Sequence, residues 1–253
     1  MTAAPQLLVH EGTERMARET AARLLTAVAD AQAIRGTASV VLTGGRNGNA
    51  VLSALGAAPG RDTVDWRRVD LWWGDERYLP AGDPDRNDTQ ARAAVLDQLP
   101  LDPARVHPMP APPSNDVEAS GGPEAAAERY AAELAAASGP FDVLLLGVGP
   151  DAHVASLFPG HPAAAETGRT VVAVREAPKP PPVRISLTMP VIRTAREVWL
   201  LAAGEDKADA VALALSGTDG ARAPAAGARG SERTLWLLDE AAAAGLPPGS
   251  RPA

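Results

Sequence analysis

Polar and apolar positions change period repeatedly along the chain. Met16, Ala17, Thr20, Ala21, Leu24, Leu25 and Val28 return every three or four residues, which predicts an amphipathic helix over residues 13–34. Residues 39–43 form an apolar run of strand length. After a pair of glycines, Val51, Leu52 and Leu55 fall on one helical face. Residues 69–73 predict the next strand, and the polar stretch GDERYLPAGDPDRND after them a loop. Asp88 is placed to cap a helix over residues 89–97. Residues 108–123, rich in Pro, Gly and polar side chains, read as a linker or surface loop. Helices are expected at 124–137 and 207–215, and strands at 142–146, 170–174, 184–187, 198–202 and 234–238. The prolines of PKPPP (178–182) predict an extended segment, because proline blocks helix and ladder alike.

Strands alternating with helices imply an α/β fold with a mostly parallel sheet covered on both faces. The alternation continues on both sides of the proline-rich stretch, so one domain over residues 1–253 is the simpler organisation. In such sheets, ligands sit beyond the carboxyl ends of the strands. Three polar motifs fall there.

Composition narrows the chemistry. The chain has 253 residues, enough to bury a sizeable core, and 45% of them are hydrophobic. With aromatics at only 4%, that core must rest on Leu, Val and Ala. The net charge of −7 argues against general nucleic-acid binding, which needs a basic face, but permits a local positive pocket for a small anion. There is no cysteine, which excludes disulfides, thiolate nucleophiles and zinc–thiolate sites. The N-terminal stretch has no signal-peptide pattern, and no apolar run reaches membrane-spanning length. A soluble, cytoplasmic protein with no membrane partner is the default expectation.

The first motif is TGGRNGN (43–49). Asn47-Gly48 is a type I′ hairpin signal, which makes a plain turn one reading. The other is a strand–Gly-Gly–helix transition that presents backbone N–H groups of a helix N-terminus to an anion, with Arg46 adding charge. The helical period after the glycines favours the second. The second motif is LWWGDERYLP (71–80). It reads either as a buried strand ending in a salt-bridged turn or as a site where Arg77 holds a phosphate or hydroxyls with Asp75 orienting it. Asp75 and Glu76 are adjacent, so they cannot flank a scissile bond as a glycosidase requires.

The third motif is DVLLLGVGPDAHVASLFPGHP (142–162). Gly147, Gly149 and Ala152 match a dinucleotide fingerprint, yet Pro159 and Pro162 interrupt the helix it should open, so this match is discounted. Asp151 and His153 carry more. A histidine in a glycine-rich loop at a strand end is suited to proton transfer near neutral pH, and a carboxylate two residues away can orient it. The bland alternative is an exposed turn histidine. His153, His161 and Asp151 fit no standard metal-ligand spacing. Ser156 lies in no G-x-S-x-G elbow, and the chain has none. Arg184 and Lys207, taken singly, read more readily as ordinary surface cations than as ligands of an anion.

Together these motifs resemble the 6-phosphogluconolactonases, particularly those of actinobacteria. The resemblance rests on LTGGRNGNAVLSAL, VDLWWGDERYLPAGDPDRN, FDVLLLGVGPDAHVASLFPGHP, PKPPPVRISLTMPVI and REVWLLAAGEDKADAVALAL, in the family's order, from about residue 42 to 238. It implies a Rossmann-like domain similar to that of glucosamine-6-phosphate deaminases. It also implies hydrolysis of 6-phosphoglucono-1,5-lactone in the pentose phosphate pathway, with the phosphosugar lactone as partner and neither metal nor organic cofactor. By the same resemblance His153 is the base and Asp151 its acidic companion. Arg77, Arg184 and Lys207 are expected to bind phosphate or sugar, beside Gly44, Gly45, Arg46, Asn47 and Asp75. A monomer or small homo-oligomer is expected. Two positions depart from the family pattern. Thr43–Gly48 reads TGGRNG where SGGSTP is frequent, and Ala152 stands where glycine is usual. If the chain there needs positive φ, alanine adds about 1 kcal/mol of strain. An amino-sugar phosphate deaminase or a non-catalytic phosphosugar-binding module are the rival readings.

Overall fold

A computed structural model of the chain describes residues 4–113, 116, 118–137 and 139–247. Seven strands form a parallel sheet: β1 (Gln6–His10), β2 (Ala38–Leu42), β3 (Val69–Trp73), β5 (Val106–His107), β6 (Val143–Gly147), β9 (Glu197–Ala202) and β10 (Arg233–Asp239). Their spatial order is β1-β10-β9-β6-β2-β3-β5. From β2 the chain moves to one side, to β3 and β5. It returns on the other side with β6, then β9 and β10. The order therefore reverses between β2 and β6, where parallel α/β sheets open a crevice for ligands. A smaller antiparallel sheet, β4 (Asp75–Arg77), β8 (Arg184–Leu187) and β7 (Val171–Val174), stands beside these carboxyl ends.

The strands are near-continuous apolar runs because both faces of the large sheet are covered. Helix α1 (Thr13–Arg35) buries the predicted stripe, Met16 through Val28, with Ala31 added, and ends at Gly36 in the left-handed region at φ 78°. Helix α2 (Gly45–Ala57) buries Val51, Leu52 and Leu55. Helix α3 spans Asn87–Ala94, and α4, Gly122–Ala136, packs on β7 and β8. The short helices α5 (Met189–Ile192), α6 (Ala208–Leu215) and α7 (Pro224–Gly227) complete the chain. One contiguous apolar core takes residues from every layer, with Trp72, Trp73, Trp199 and Trp236 among its largest members. Among the described residues no helix is long and apolar enough to cross a membrane. The described part of 108–121 holds no strand or α-helix; residues 114, 115 and 117 of the expected loop lie outside the described residues.

Three expectations about elements are corrected. Asp75–Arg77 is a strand rather than loop, paired to β8 in the register Asp75–Ser186, Glu76–Ile185 and Arg77–Arg184. Asp88 does not cap α3. The helix starts at Asn87, two residues earlier, and its free N–H groups are taken from afar: the Glu76 carboxyl accepts from Asn87 N at 2.6 Å and Asp88 N at 2.9 Å. Residues 178–182 are not extended. They bend around the Arg184 guanidinium, which donates to the carbonyls of Lys179, Pro180 and Pro181 at 3.1 Å each. Prolines give no N–H to a ladder but keep their carbonyls, and here a cation collects them.

Glu76 and Arg86 are each 1% exposed. Arg86 donates to Asp88, Leu79 O and Met109 O, so it fastens the polar loop that follows β4 to the end of the sheet. Burial pushes the Glu76 carboxyl up to about 7, with Arg86 and the two helix N–H groups pulling the other way. The folded protein then holds a proton that the unfolded chain has released. This group's contribution to stability therefore falls as pH rises from about 4.5 to about 7, by about 3 kcal/mol at most. Urea unfolding at pH 5 and pH 8 should show wild type losing more stability than Glu76→Gln, by up to that amount. Equal pH responses would mean that the carboxyl is ionised throughout.

Ala152 does adopt positive φ, 62°, and its methyl is fully buried. Its N–H donates to Gly149 O and its carbonyl accepts from Ala225 N, both at 2.9 Å, so loop and α7 hold the conformation jointly. Glycine would relieve about 1 kcal/mol of strain. It would lose a buried methyl worth about 0.8 kcal/mol and gain unfolded-state entropy worth about 0.4–1 kcal/mol. Ala152→Gly should therefore unfold within about 1 kcal/mol of wild type in urea; a large gain in stability would contradict this balance.

Candidate active site

The loops that leave β2, β3, β6 and β9 at their carboxyl ends, with the bent segment before β8, enclose a cavity of about 430 Å³. That size suits a small ligand. Its lining includes Gly44, Gly45, Arg46, Asn47, Asp75, Arg77, His153, Arg184 and Lys207, the predicted site residues except Asp151, which stands directly behind His153. A larger cleft, about 650 Å³, opens at the opposite ends of the strands between Arg35, Asp142, Arg196 and Arg233, but none of the predicted site residues reaches it.

The glycine loop is shaped by close neighbours. A Cβ on Gly44 would stand 1.9 Å from Asn87 Oδ1, and one on Gly48 would stand 2.2 Å from the Thr43 carbonyl. Gly45 takes φ 76°. No side chain caps α2, so its first N–H groups are presented at the cavity rather than satisfied by a hydroxyl or carboxylate. Asn47 is 6% exposed, and its Oδ1 is buried without a hydrogen-bond partner among the described residues.

His153 is held in a small closed loop. Gly149 N donates to His153 O at 2.9 Å, and Val148 bridges Val154. The imidazole Nδ1 lies 2.5 Å from Asp151 Oδ1, and the ring packs against Phe158. Gly149 must lack a side chain, since a Cβ would fall 2.0 Å from that Nδ1. Burial disfavours charge on Asp151, but the His153 hydrogen bond and charge, aided by Lys179, outweigh it and hold the carboxyl below its ordinary value. With Nδ1 committed, Nε2 is the nitrogen available for proton transfer.

Five cations line the cavity, Arg46, Arg77, Lys179, Arg184 and Lys207, against the carboxylates Asp75 and Asp206. Each is tethered. Arg46 donates to Ala203 O and Asp206, both at 2.8 Å. Arg77 Nη1 donates to Asp85 O at 2.9 Å and Asn87 Oδ1 at 2.5 Å. Arg184 gives Nε and Nη2 to the 179–181 carbonyls and places Nη1 4.0 Å from Asp75. Lys207, at the start of α6, stands 3.4 Å from Asp206. Burial is the largest influence on Lys207 and lowers its affinity for the proton, with Lys179 and Arg46 adding to the effect. A guanidinium has five N–H groups, so Arg46, Arg77 and Arg184 all keep donors for an anion.

One expected contact is corrected. Asp75 does not orient Arg77. It accepts from the fully buried Ser156 Oγ at 2.7 Å and faces Arg184, while Asn87 and the Asp85 carbonyl fix Arg77. Ser156 thus serves a carboxylate and is shielded from any substrate. His161 points elsewhere, between Ala163 N and Arg175 O. Among the described residues no group of three potential metal ligands occurs. Sequence reasoning missed Lys179 and Asn87. Lys179 was hidden among prolines, and Asn87 was read only as loop.

Comparison with known proteins identifies the family and the fold. Residues 11–236 match the family model described as glucosamine-6-phosphate isomerases/6-phosphogluconolactonase. A 6-phosphogluconolactonase of Streptomyces coelicolor is 64% identical, covering 98% of this chain and 97% of its own. The solved 6-phosphogluconolactonase of Trypanosoma brucei superposes with a TM-score of 0.83 at 28% identity, covering 96% and 99% of the two chains. A monomeric glucosamine-6-phosphate deaminase, 19% identical with a TM-score of 0.78 over 95% and 99%, shares the fold. With its carboxylate-backed histidine, glycine loop and cationic cavity at the β2/β6 switch point, the chain belongs to the glucosamine-6-phosphate isomerase/6-phosphogluconolactonase family.

Proposed function

We propose that the protein hydrolyses 6-phospho-D-glucono-1,5-lactone to 6-phospho-D-gluconate, the second step of the oxidative pentose phosphate pathway. The observation that carries this reading is one cavity shared by the His153–Asp151 pair and five cations. A phosphosugar lactone needs both: an acid–base group for its ester and positive charge for its phosphoryl end. The 64% identical lactonase of Streptomyces coelicolor supports the choice of substrate within the family.

In the proposed reaction, His153 Nε2 takes a proton from water as the water oxygen bonds to lactone C1. The carbonyl electrons move onto oxygen, and the N–H groups at the start of α2 stabilise that oxyanion. The tetrahedral intermediate then reforms the carbonyl. The bond from C1 to the ring oxygen breaks, and His153 returns its proton to that oxygen. Asp151 keeps the imidazole oriented and stabilises its protonated form between the two steps. The free N–H groups of Arg77 and Arg184 and the Lys207 ammonium hold the phosphoryl group and sugar hydroxyls. Their binding energy orients C1 over the histidine. Asn47 Oδ1, an unused acceptor, suits a sugar hydroxyl. No step calls on a metal or organic cofactor. The proposal includes action as one domain, as a monomer or small homo-oligomer, in the cytoplasm.

Freshly generated lactone, assayed by stopped-flow acid release, gives two tests. His153→Ala should lower turnover at least about a hundredfold while product affinity changes little. Unchanged turnover would remove His153 from the reaction. Lys207→Ala should chiefly raise KM for the phosphorylated lactone and leave the unphosphorylated lactone nearly untouched; an equal loss on both would argue against phosphate contact. Ammonia release from glucosamine 6-phosphate, in place of lactone turnover, would favour the deaminase reading.

A further inference from the structure

We propose that Lys179 is a positioning residue for the acid–base pair: its ammonium group, seated on the Asp151 carboxylate, sets how strongly that carboxylate draws a proton onto His153. The proposal rests on the reading of His153 as the base.

The geometry is a chain of three groups meeting at one atom. Asp151 Oδ1 receives His153 Nδ1 at 2.5 Å and Lys179 Nζ at 3.3 Å. Lys179 arrives from a different loop, 28 residues away in sequence. That loop is not free to drift. Its carbonyls at 179, 180 and 181 are gripped by Arg184, which is itself 7% exposed and packed over the Phe158 ring, the ring that also backs His153. One buried guanidinium thus fixes both the histidine's apolar wall and the backbone from which the lysine reaches.

A carboxylate on Nδ1 favours the charged imidazolium over the neutral ring that acts as a base. A cation on the same carboxylate oxygen offsets part of that attraction while leaving the hydrogen bond, and so the ring orientation, in place. The other charged groups around the pair are fixed in number. They are Arg46 on α2, Asp75 and Arg77 on β4, Arg184 on β8, and Asp206 and Lys207 after β9. Among the described residues, Lys179 is the cation that hydrogen-bonds Asp151. The lysine is therefore the element that tunes basicity without touching the reacting atoms.

The test compares wild type with Lys179→Met, which keeps the length and removes the charge, and Lys179→Arg, which keeps it. Two readouts are needed: the NMR titration of the His153 ring in substrate-free protein, assigned with His153→Asn, and the pH dependence of kcat/KM. In Lys179→Met both the ring's midpoint and the acidic limb should move to higher pH by about half to one unit. Activity on the foot of the limb would then fall about three- to tenfold relative to that variant's own plateau. Lys179→Arg should stay near wild type. An unmoved midpoint in Lys179→Met overturns the proposal. So does a raised KM with an unmoved limb, which would make Lys179 a substrate ligand. A moved midpoint in a protein without lactone turnover upholds the Lys179–Asp151–His153 coupling and overturns the lactonase reading instead.

Discussion

Like charges gathered in one cavity repel, and a cavity lined with five cations can stay assembled only if each is tied down while no anion is present. Lys207 rests on its neighbour Asp206, and the other tethers join separate segments. Arg46 of α2 is held by the turn after β9, Arg77 by the loop before α3, and Arg184 by carbonyls of the proline segment. Lys179 of that segment reaches the loop after β6. The same contacts that keep the cations apart bind four chain segments, distant in sequence, into one wall. Arg46 and Lys207 meet Asp206, Lys179 meets Asp151, and Arg184 faces Asp75. Carbonyl oxygens and amide groups do most of the holding, which leaves net positive charge facing the cavity.

The parallel sheet makes this possible. With the strand order reversing between β2 and β6, the glycine loop and the histidine loop leave adjacent strands toward the same side. Thr43 Oγ1 joins them by accepting from Gly147 N at 3.1 Å. Behind the cavity, the Asp239 carboxylate at the end of β10 accepts from Gly204 N and Ala242 N. It thereby anchors the turn that carries Lys207 and the carbonyl that holds Arg46. Buried polar groups with complete partners behave in this way: they fix a unique arrangement where apolar packing alone would leave latitude.

Much of this was legible in the sequence, and the limits have physical causes. The central strands were visible because burial on both faces demands apolar runs, and α1 because half its surface is solvated. Helix α2 was legible through Val51, Leu52 and Leu55 even though its first turn is glycine and asparagine. Strand β4 was not, since its three residues are all charged and their pairing partner lies over a hundred positions away in the register with β8. The edge strand β1 was missed because its short apolar run, only part buried, lies against the single neighbour β10. The start of α3 was misplaced because Glu76, not a neighbour, supplies its cap. Candidate site residues were recognisable as types and as a family pattern. Which carboxylate serves which cation was decided only by folding: Asp75 turned to Ser156 and Arg184, and Lys179 emerged from a segment read merely as rigid.

Convergence of an imidazole and a phosphate cradle on one ligand is the central claim, and a crystal structure with bound 6-phosphogluconate tests it most directly. The expected result places the C1 carboxylate within hydrogen-bond reach of His153 Nε2, with the phosphoryl group against cations among Arg46, Arg77, Arg184 and Lys207. Product bound with its phosphoryl group at His153, or in the cleft at the opposite ends of the strands beside Arg35 and Arg196, would contradict it.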